Sequence, residues 1–330
     1  MAWNGSMNSN SSVNTSITFT PSSLSEGSYE VTTFTAPIKG VYQFRLKGSG
    51  GTVGCTDATS SGALGSSIVA GGSGGSTTGY LFLEKGQTVY VGAGGTCSAA
   101  FVAKANGSKL SSISASNLYF VAGGGGAAGR SYSGANYVHN AFKGGNGGGS
   151  SGAAGEAGGG ALLGRDYSGG GGGTQNSGGV HVTVRDCANG NDGSYGTGGA
   201  GVAHTPQYKN VYAWSGRGGD GYYGGASGHA IASHEDATGY THSYGFGGGG
   251  GSGYVHNSTL IVNAGTSRQQ TFTSTTSQGG GAASNNRGSV TVTYWSQSEL
   301  PVIFNGVRLM QLYFNGVDIK SLYINGEQLY

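Results

Sequence analysis

The side chains of this chain best equipped for chemistry are seven histidines, His139, His181, His204, His229, His234, His242 and His256, and a small set of carboxylates. The densest group is His234-Glu235-Asp236, flanked by His229 and His242. Imidazole and carboxylate together are ligands for zinc and other transition metals. The spacing is not His-Glu-x-x-His, in which two imidazoles one helical turn apart share a metal. Solvated turn residues in a glycine-rich stretch are the competing interpretation, and no metal is assigned. Cleavage of a glycosidic bond needs two carboxyl groups facing each other. Here Glu156, Asp166, Asp186 and Asp220 are scattered. No Ser/His/Asp set stands in a recognisable context, such as a nucleophile elbow after a strand. Gly124 to Gly129 fits G-x-G-x-x-G, but Arg130-Ser-Tyr-Ser-Gly-Ala-Asn136 shows no amphipathic helix to carry a dinucleotide pyrophosphate. We therefore expect no catalysis and no cofactor.

What remains is recognition. Three segments between glycine blocks, Arg130 to Phe142, His204 to Tyr223 and His229 to Phe246, are rich in aromatics. They contain Tyr132, Tyr137, Tyr208, Tyr212, Trp214, Tyr222, Tyr223, Tyr240, His242 and Tyr244, which form the candidate receptor-binding set. Tyrosine offers large amphipathic contact at low entropy cost, and Tyr, Ser, Gly and Asn dominate antibody paratopes for that reason. The alternative role for these rings is to cover glycine segments that have no apolar side chains of their own. Tyr-Val-His-Asn occurs at 137–140 and again at 254–257, and reads as a structural clasp.

Composition limits the rest. The chain has 330 residues, of which 72 are glycine and only 9% are charged, against about 25% in a typical globular domain. A formal net charge of +2 implies neither nucleic-acid steering nor attraction to a membrane surface. Cys55, Cys97 and Cys187 are an odd number without close spacing, which argues against a disulfide framework and a zinc site. No basic and apolar leader is visible, and no apolar run approaches a membrane span.

The elements that must position the aromatics are strands. Tyr42, Phe44 and Leu46 alternate with Val41, Gln43 and Arg45, after a turn at Pro37 and Gly40. Tyr80 to Val91 reads as two strands joined at Glu84-Lys85-Gly86; Leu118 to Ala122 and Gly288 to Trp295 read as two more. Between them lie glycine runs such as Gly169 to Gly173 and Gly247 to Gly251. Free glycine chain loses much entropy on ordering and adds no apolar surface. Packing of threefold polyglycine II helices backbone to backbone would offset this, with a five-residue run spanning about 15 Å. No Gly-X-Y period exists and there are only 4 prolines, so collagen is excluded.

Phe34-Thr-Ala-Pro-x-x-Gly-Val-Tyr-x-Phe44 resembles the early strands of tumour-necrosis-factor/C1q-type jelly rolls. Leu118 to Gly126, Gly170 to Gly178, Gly193 to Gly199, Gly218 to Gly225 and Gly247 to Tyr254 resemble the glycine-rich domain of anaplastic-lymphoma-kinase-type receptors and of many bacterial and phage proteins. That resemblance implies a jelly roll fused to a polyglycine-helix bundle. Phe304-Asn-Gly-Val, Phe314-Asn-Gly-Val and Ile324-Asn-Gly-Glu recur every ten residues. Asn-Gly between alternating apolar residues is a hairpin signal. The repeat resembles the ends of bacteriophage tail and minor structural proteins.

The expected fold is all-β: a jelly-roll-like sandwich fused to a bundle of polyglycine II helices, with a C-terminal β-meander repeat. The expected organisation is a polar arm over 1–27, a glycine-rich domain over 28–298 and the hairpin repeat over 299–330. The expected function is a non-enzymatic phage virion protein, a tail-fibre or tail-tip adhesin made in the host cytoplasm and assembled into the virion. Its expected partners are a bacterial surface receptor (glycan or protein), other virion proteins and two further copies of itself in a homotrimer. Neither nucleic-acid binding nor membrane insertion is expected. A structural head or tail decoration protein without receptor binding is the alternative.

Overall fold

Alternation of apolar and polar residues forces the architecture. In the computed structural model, Gly40–Lys47 forms a strand that buries Tyr42, Phe44 and Leu46 completely on one face. Its other face is covered only in the first half, where Gln43, 4% exposed, donates through Nε2 to the Tyr80 hydroxyl at 2.6 Å, while Arg45 and Lys47 are exposed. The structure describes residues 3–22, 25–133, 138–157, 167–183, 187–205, 211–233, 242–256, 271–273 and 287–296. It also describes six two-residue strands beyond 302.

Two antiparallel sheets hold the main core. The first has six strands in the order Trp3–Asn4, Ser16–Phe19, Ser289–Ser296, Gly40–Lys47, Ser76–Leu83 and Thr271–Thr273. The second has five, in the order Tyr254–Val255, Leu118–Ala122, Ala100–Ala103, Thr88–Gly94 and Tyr29–Thr35. Phe19, Phe34, Phe44, Leu46, Val91, Phe120, Val292 and Tyr294 meet between them in one apolar cluster. The polar N-terminal segment thus enters the fold through Phe19, which is fully buried.

Two more sheets lie outside this pair. One has five strands, in the order Ala203–His204, Val211–Trp214, Arg130–Ser133, Gly54–Cys55 and Ile68–Val69. The other has three: Val138–Ala141, His242–Gly245 and Ala230–Ser233. The C-terminal repeat forms three separate two-stranded hairpins, Ile303–Phe304 with Val307–Arg308, Tyr313–Phe314 with Val317–Asp318, and Tyr323–Ile324 with Glu327–Gln328. No ladder joins one hairpin to the next among the described residues, so the expected continuous meander is not formed there.

The glycine runs correct the fold expectation. Among the described residues the only helical elements are three-residue 3-10 turns at Leu110–Ser112 and Ala115–Asn117. Among the described residues no helix lies in a glycine run, so the expected polyglycine II bundle is not found there, and with it goes the resemblance to a polyglycine-helix domain. The fold is a multi-sheet all-β arrangement, not one jelly-roll sandwich fused to helices. The physical reason lies in where the donors go. The N–H groups of Gly248, Gly249, Gly250 and Gly251 leave for the carbonyls of Ala127, Ala226, Ala153 and Gly124, on three different segments. The carbonyls of Gly247 to Gly250 accept from Gly170, Gly145, Gly219 and Gly173. Hydrogen bonding therefore knits irregular segments together around residues 247–251, and buried backbone groups are paired in that way.

Candidate binding face and the adjoining cleft

The aromatics called from the sequence divide by the alternation of their strands. Along Val211–Trp214, Val211 and Ala213 are fully buried, while Tyr212 and Trp214 point to the half-exposed face. Arg130–Ser133 runs antiparallel beside it, pairing Tyr132 with Tyr212 and Arg130 with Trp214. The Tyr132 and Tyr212 rings lie 5.7 Å apart, and Tyr212 stacks on Trp214 at 5.9 Å. These three rings make one aromatic stripe with Arg130 beside its end. On the opposite face, Val211 and Ala213 pack with Ala230 and Ala232 of the three-stranded sheet. Small side chains let the sheets approach, and Ser243 Oγ donates across to the Tyr212 carbonyl at 2.6 Å.

The remaining calls separate. Tyr222 stacks face to face on Tyr254 at 4.2 Å, with Tyr195 and Tyr223 edge-on to it. This clasp packs over Phe101, Leu110 and Leu118. Tyr195 donates to the Ile113 carbonyl at 2.7 Å, and burial beside three other tyrosines pushes its phenol up to about 12. His242 and Tyr244 are each 3% exposed, joined Nδ1 to Oη at 2.9 Å, and Tyr244 packs with Ile231 and Phe246. His229 is fully buried, edge-on to Phe246, and burial lowers its imidazole below the ordinary value. Tyr137, Tyr208, Tyr240 and His234-Glu235-Asp236 lie outside the described residues. Among the described residues, no three His, Cys, Asp or Glu side chains come together around a metal-sized site.

Register sets described strand ends level within each sheet. Ser133, the last residue of its strand, pairs with Val211, the first of its own. Val138 lies level with His242, and His242 with Ser233.

At the other end of the stripe is a cleft of about 540 Å³, lined by Glu26, Gly62, Arg130, Val202, Trp214 and Arg217 among others. Arg130 Nη1 donates to the Gly62 carbonyl at 2.8 Å. Gly62 has φ +82° and lies against the indole, where an added Cβ would stand 3.1 Å from Trp214 Cε2. Beneath the cleft, Arg217 Nη2 donates to Asp220 Oδ1 at 2.6 Å, and Gly198 N–H donates to the same oxygen at 2.8 Å. Tyr29 Oη donates to Oδ2 at 2.8 Å. Burial raises the Asp220 carboxyl above its ordinary value, opposed by Arg217 and these donors. Asp220 is 2% exposed, and both its oxygens are occupied by these donors.

Asp57 closes the loop that carries Ser61 and Gly62. Its Oδ2 accepts from the Ser66 hydroxyl at 2.7 Å and the Ser66 N–H at 2.8 Å, and its Oδ1 from the Ser67 N–H at 2.9 Å. The Ser66 hydroxyl, then the Ser67 N–H, hold this carboxyl below its ordinary value. The folded pKa is thus below the unfolded one, so the loop contribution is full above the ordinary carboxylate range. It is lost as pH falls through the lowered folded value. We expect the Gly62 amide resonance to shift on acidification, and Asp57→Asn to produce the same shift at neutral pH. An unshifted amide in Asp57→Asn would mean that other contacts hold the loop.

Sequence reasoning missed Arg130, Glu26, Ser61, Gly62 and Arg217. Arg130 was legible, two residues before Tyr132 and so on the same strand face. The others come from distant loops, and no local signal links them. The chain matches no protein-family model and no curated protein sequence.

Proposed function

We propose that this is a non-enzymatic bacteriophage virion protein, an adhesin of tail-fibre or tail-tip type that binds a bacterial surface receptor. The observation that carries this reading is the pair of half-exposed rings Tyr132 and Tyr212, side by side on adjacent strands of a sheet whose other face is packed. Tyrosine supplies contact that suits glycan or protein. Many copies on one particle would turn weak single contacts into avidity. The inward packing of Tyr222, His242 and Tyr244 favours the second reading, a decoration protein without a receptor.

The test is binding of labelled protein to a panel of intact bacterial strains, beside the double variant Tyr132→Ala, Tyr212→Ala at unchanged Tm. We expect strain-specific binding that weakens by about a hundredfold in the variant, as when interface anchors are truncated. Undiminished binding by the variant, or no binding to any strain by native protein, would move the assignment to the decoration role.

A further inference from the structure

We propose that the cleft beside Trp214 is a second binding site, whose lining includes neither Tyr132 nor Tyr212, and that it takes a saccharide bearing a carboxylate. Its size falls within the range of about 300–1,000 Å³ that small-molecule sites occupy. Its wall carries one half-exposed indole at the end of the Tyr132, Tyr212 and Trp214 stripe. Such a ring offers a flat apolar surface to the C–H face of a sugar while its edge stays polar.

Charge selects the ligand class. Three charged side chains line the cleft: Glu26, Arg130 and Arg217. Arg217 is already committed to Asp220, so it gives little net attraction. Arg130 is the cross-strand neighbour of Trp214. Its Nη1 is anchored to the Gly62 carbonyl, and it has no carboxylate partner among the described residues. A guanidinium held in place beside an aromatic ring matches a carboxylate in fork geometry better than any neutral group. Glu26 and Ser61 are both exposed on the lining and can hydrogen-bond sugar hydroxyls. Ala203–His204 is an edge strand of its sheet, and edge strands present unpaired backbone groups to what lies alongside.

The probes are tetragalacturonate and maltotetraose, an acidic and a neutral tetrasaccharide, titrated against the full chain by calorimetry and tryptophan fluorescence. We expect millimolar or tighter binding of tetragalacturonate and quenching that disappears in Trp214→Phe. The neutral sugar, and tetragalacturonate with Arg130→Gln, should each bind about tenfold more weakly, the loss of one charged hydrogen-bonding partner. Ser61→Glu, a charge placed at an exposed position, should abolish binding of the acidic sugar without changing Tm. It keeps the test decisive should Arg130→Gln unfold the loop. Absence of tetragalacturonate binding, equal binding of maltotetraose, or full binding by Ser61→Glu would each overturn the proposal. Cell binding that depends on Tyr132 and Tyr212 does not bear on this measurement, so either site can fail alone.

Discussion

Gly126→Ala is expected to destabilise the protein by more than about 4 kcal/mol, in the exceptional tail of single substitutions. Gly126 donates to the Gly145 carbonyl and accepts from Gly72 N–H, both at 2.8 Å. A methyl group on it would overlap the Gly248 carbonyl, which is backbone and cannot swing away as a side chain would. Relief would require moving the 247–251 segment, which is hydrogen-bonded to several others at once. Overpacking a flexible apolar core typically costs about 1–3 kcal/mol, because side chains there can adjust. The matched control is Gly86→Ala. Nothing lies within 4 Å of a Cβ at Gly86, so only its φ of +85° opposes the change. That strain costs about 1–2 kcal/mol. Denaturant unfolding of both variants checks the contrast. Equal losses would show that the glycine segments yield like a loop.

Asp220→Ala is the second large effect, about 3–5 kcal/mol, the usual result of removing one partner from a buried ion pair. The carboxylate accepts from Arg217, Gly198 and Tyr29, and the Arg217 side chain is only 17% exposed. Removing it strands a guanidinium and two other donors in a site with little water. The coupling is testable apart from the loss itself. Arg217→Met in the Asp220→Ala background should recover part of the stability, because the stranded charge goes with it. Additive losses, with no recovery, would mean that the stranded charge is not what destabilises. Because Tyr29 begins a strand of the second sheet and Asp220 lies among the glycine segments, this cluster also joins the two halves of the fold.

Much of the strand framework was readable from period-two alternation. Tyr42, Phe44 and Leu46 announce a buried face, and Val290, Val292 and Tyr294 announce its partner. Their pairing across almost the whole chain was not readable, since alternation says which side is apolar and not what covers it. The candidate site was half legible. Tyr132, Tyr212 and Trp214 were named from composition and do share a face. Tyr222, His242 and Tyr244 were named on the same grounds but pack inward. A tyrosine beside glycine has the same local signature whether it meets solvent or another ring.

The glycine runs mark the boundary most clearly. Sequence alone determined that these residues carry no apolar surface and that their backbone groups must find partners. It did not determine which partners, and a regular helix bundle was the wrong expectation. Glycine has no side chain to encode a register, so the identity of each neighbour is a property of the assembled segments. The cleft follows the same logic. Alternation placed Arg130 on the face of Tyr132, but only tertiary structure brought Glu26, Gly62 and Arg217 to it. Those contacts are made between loops far apart in the chain, where spacing in sequence carries no information about distance in space.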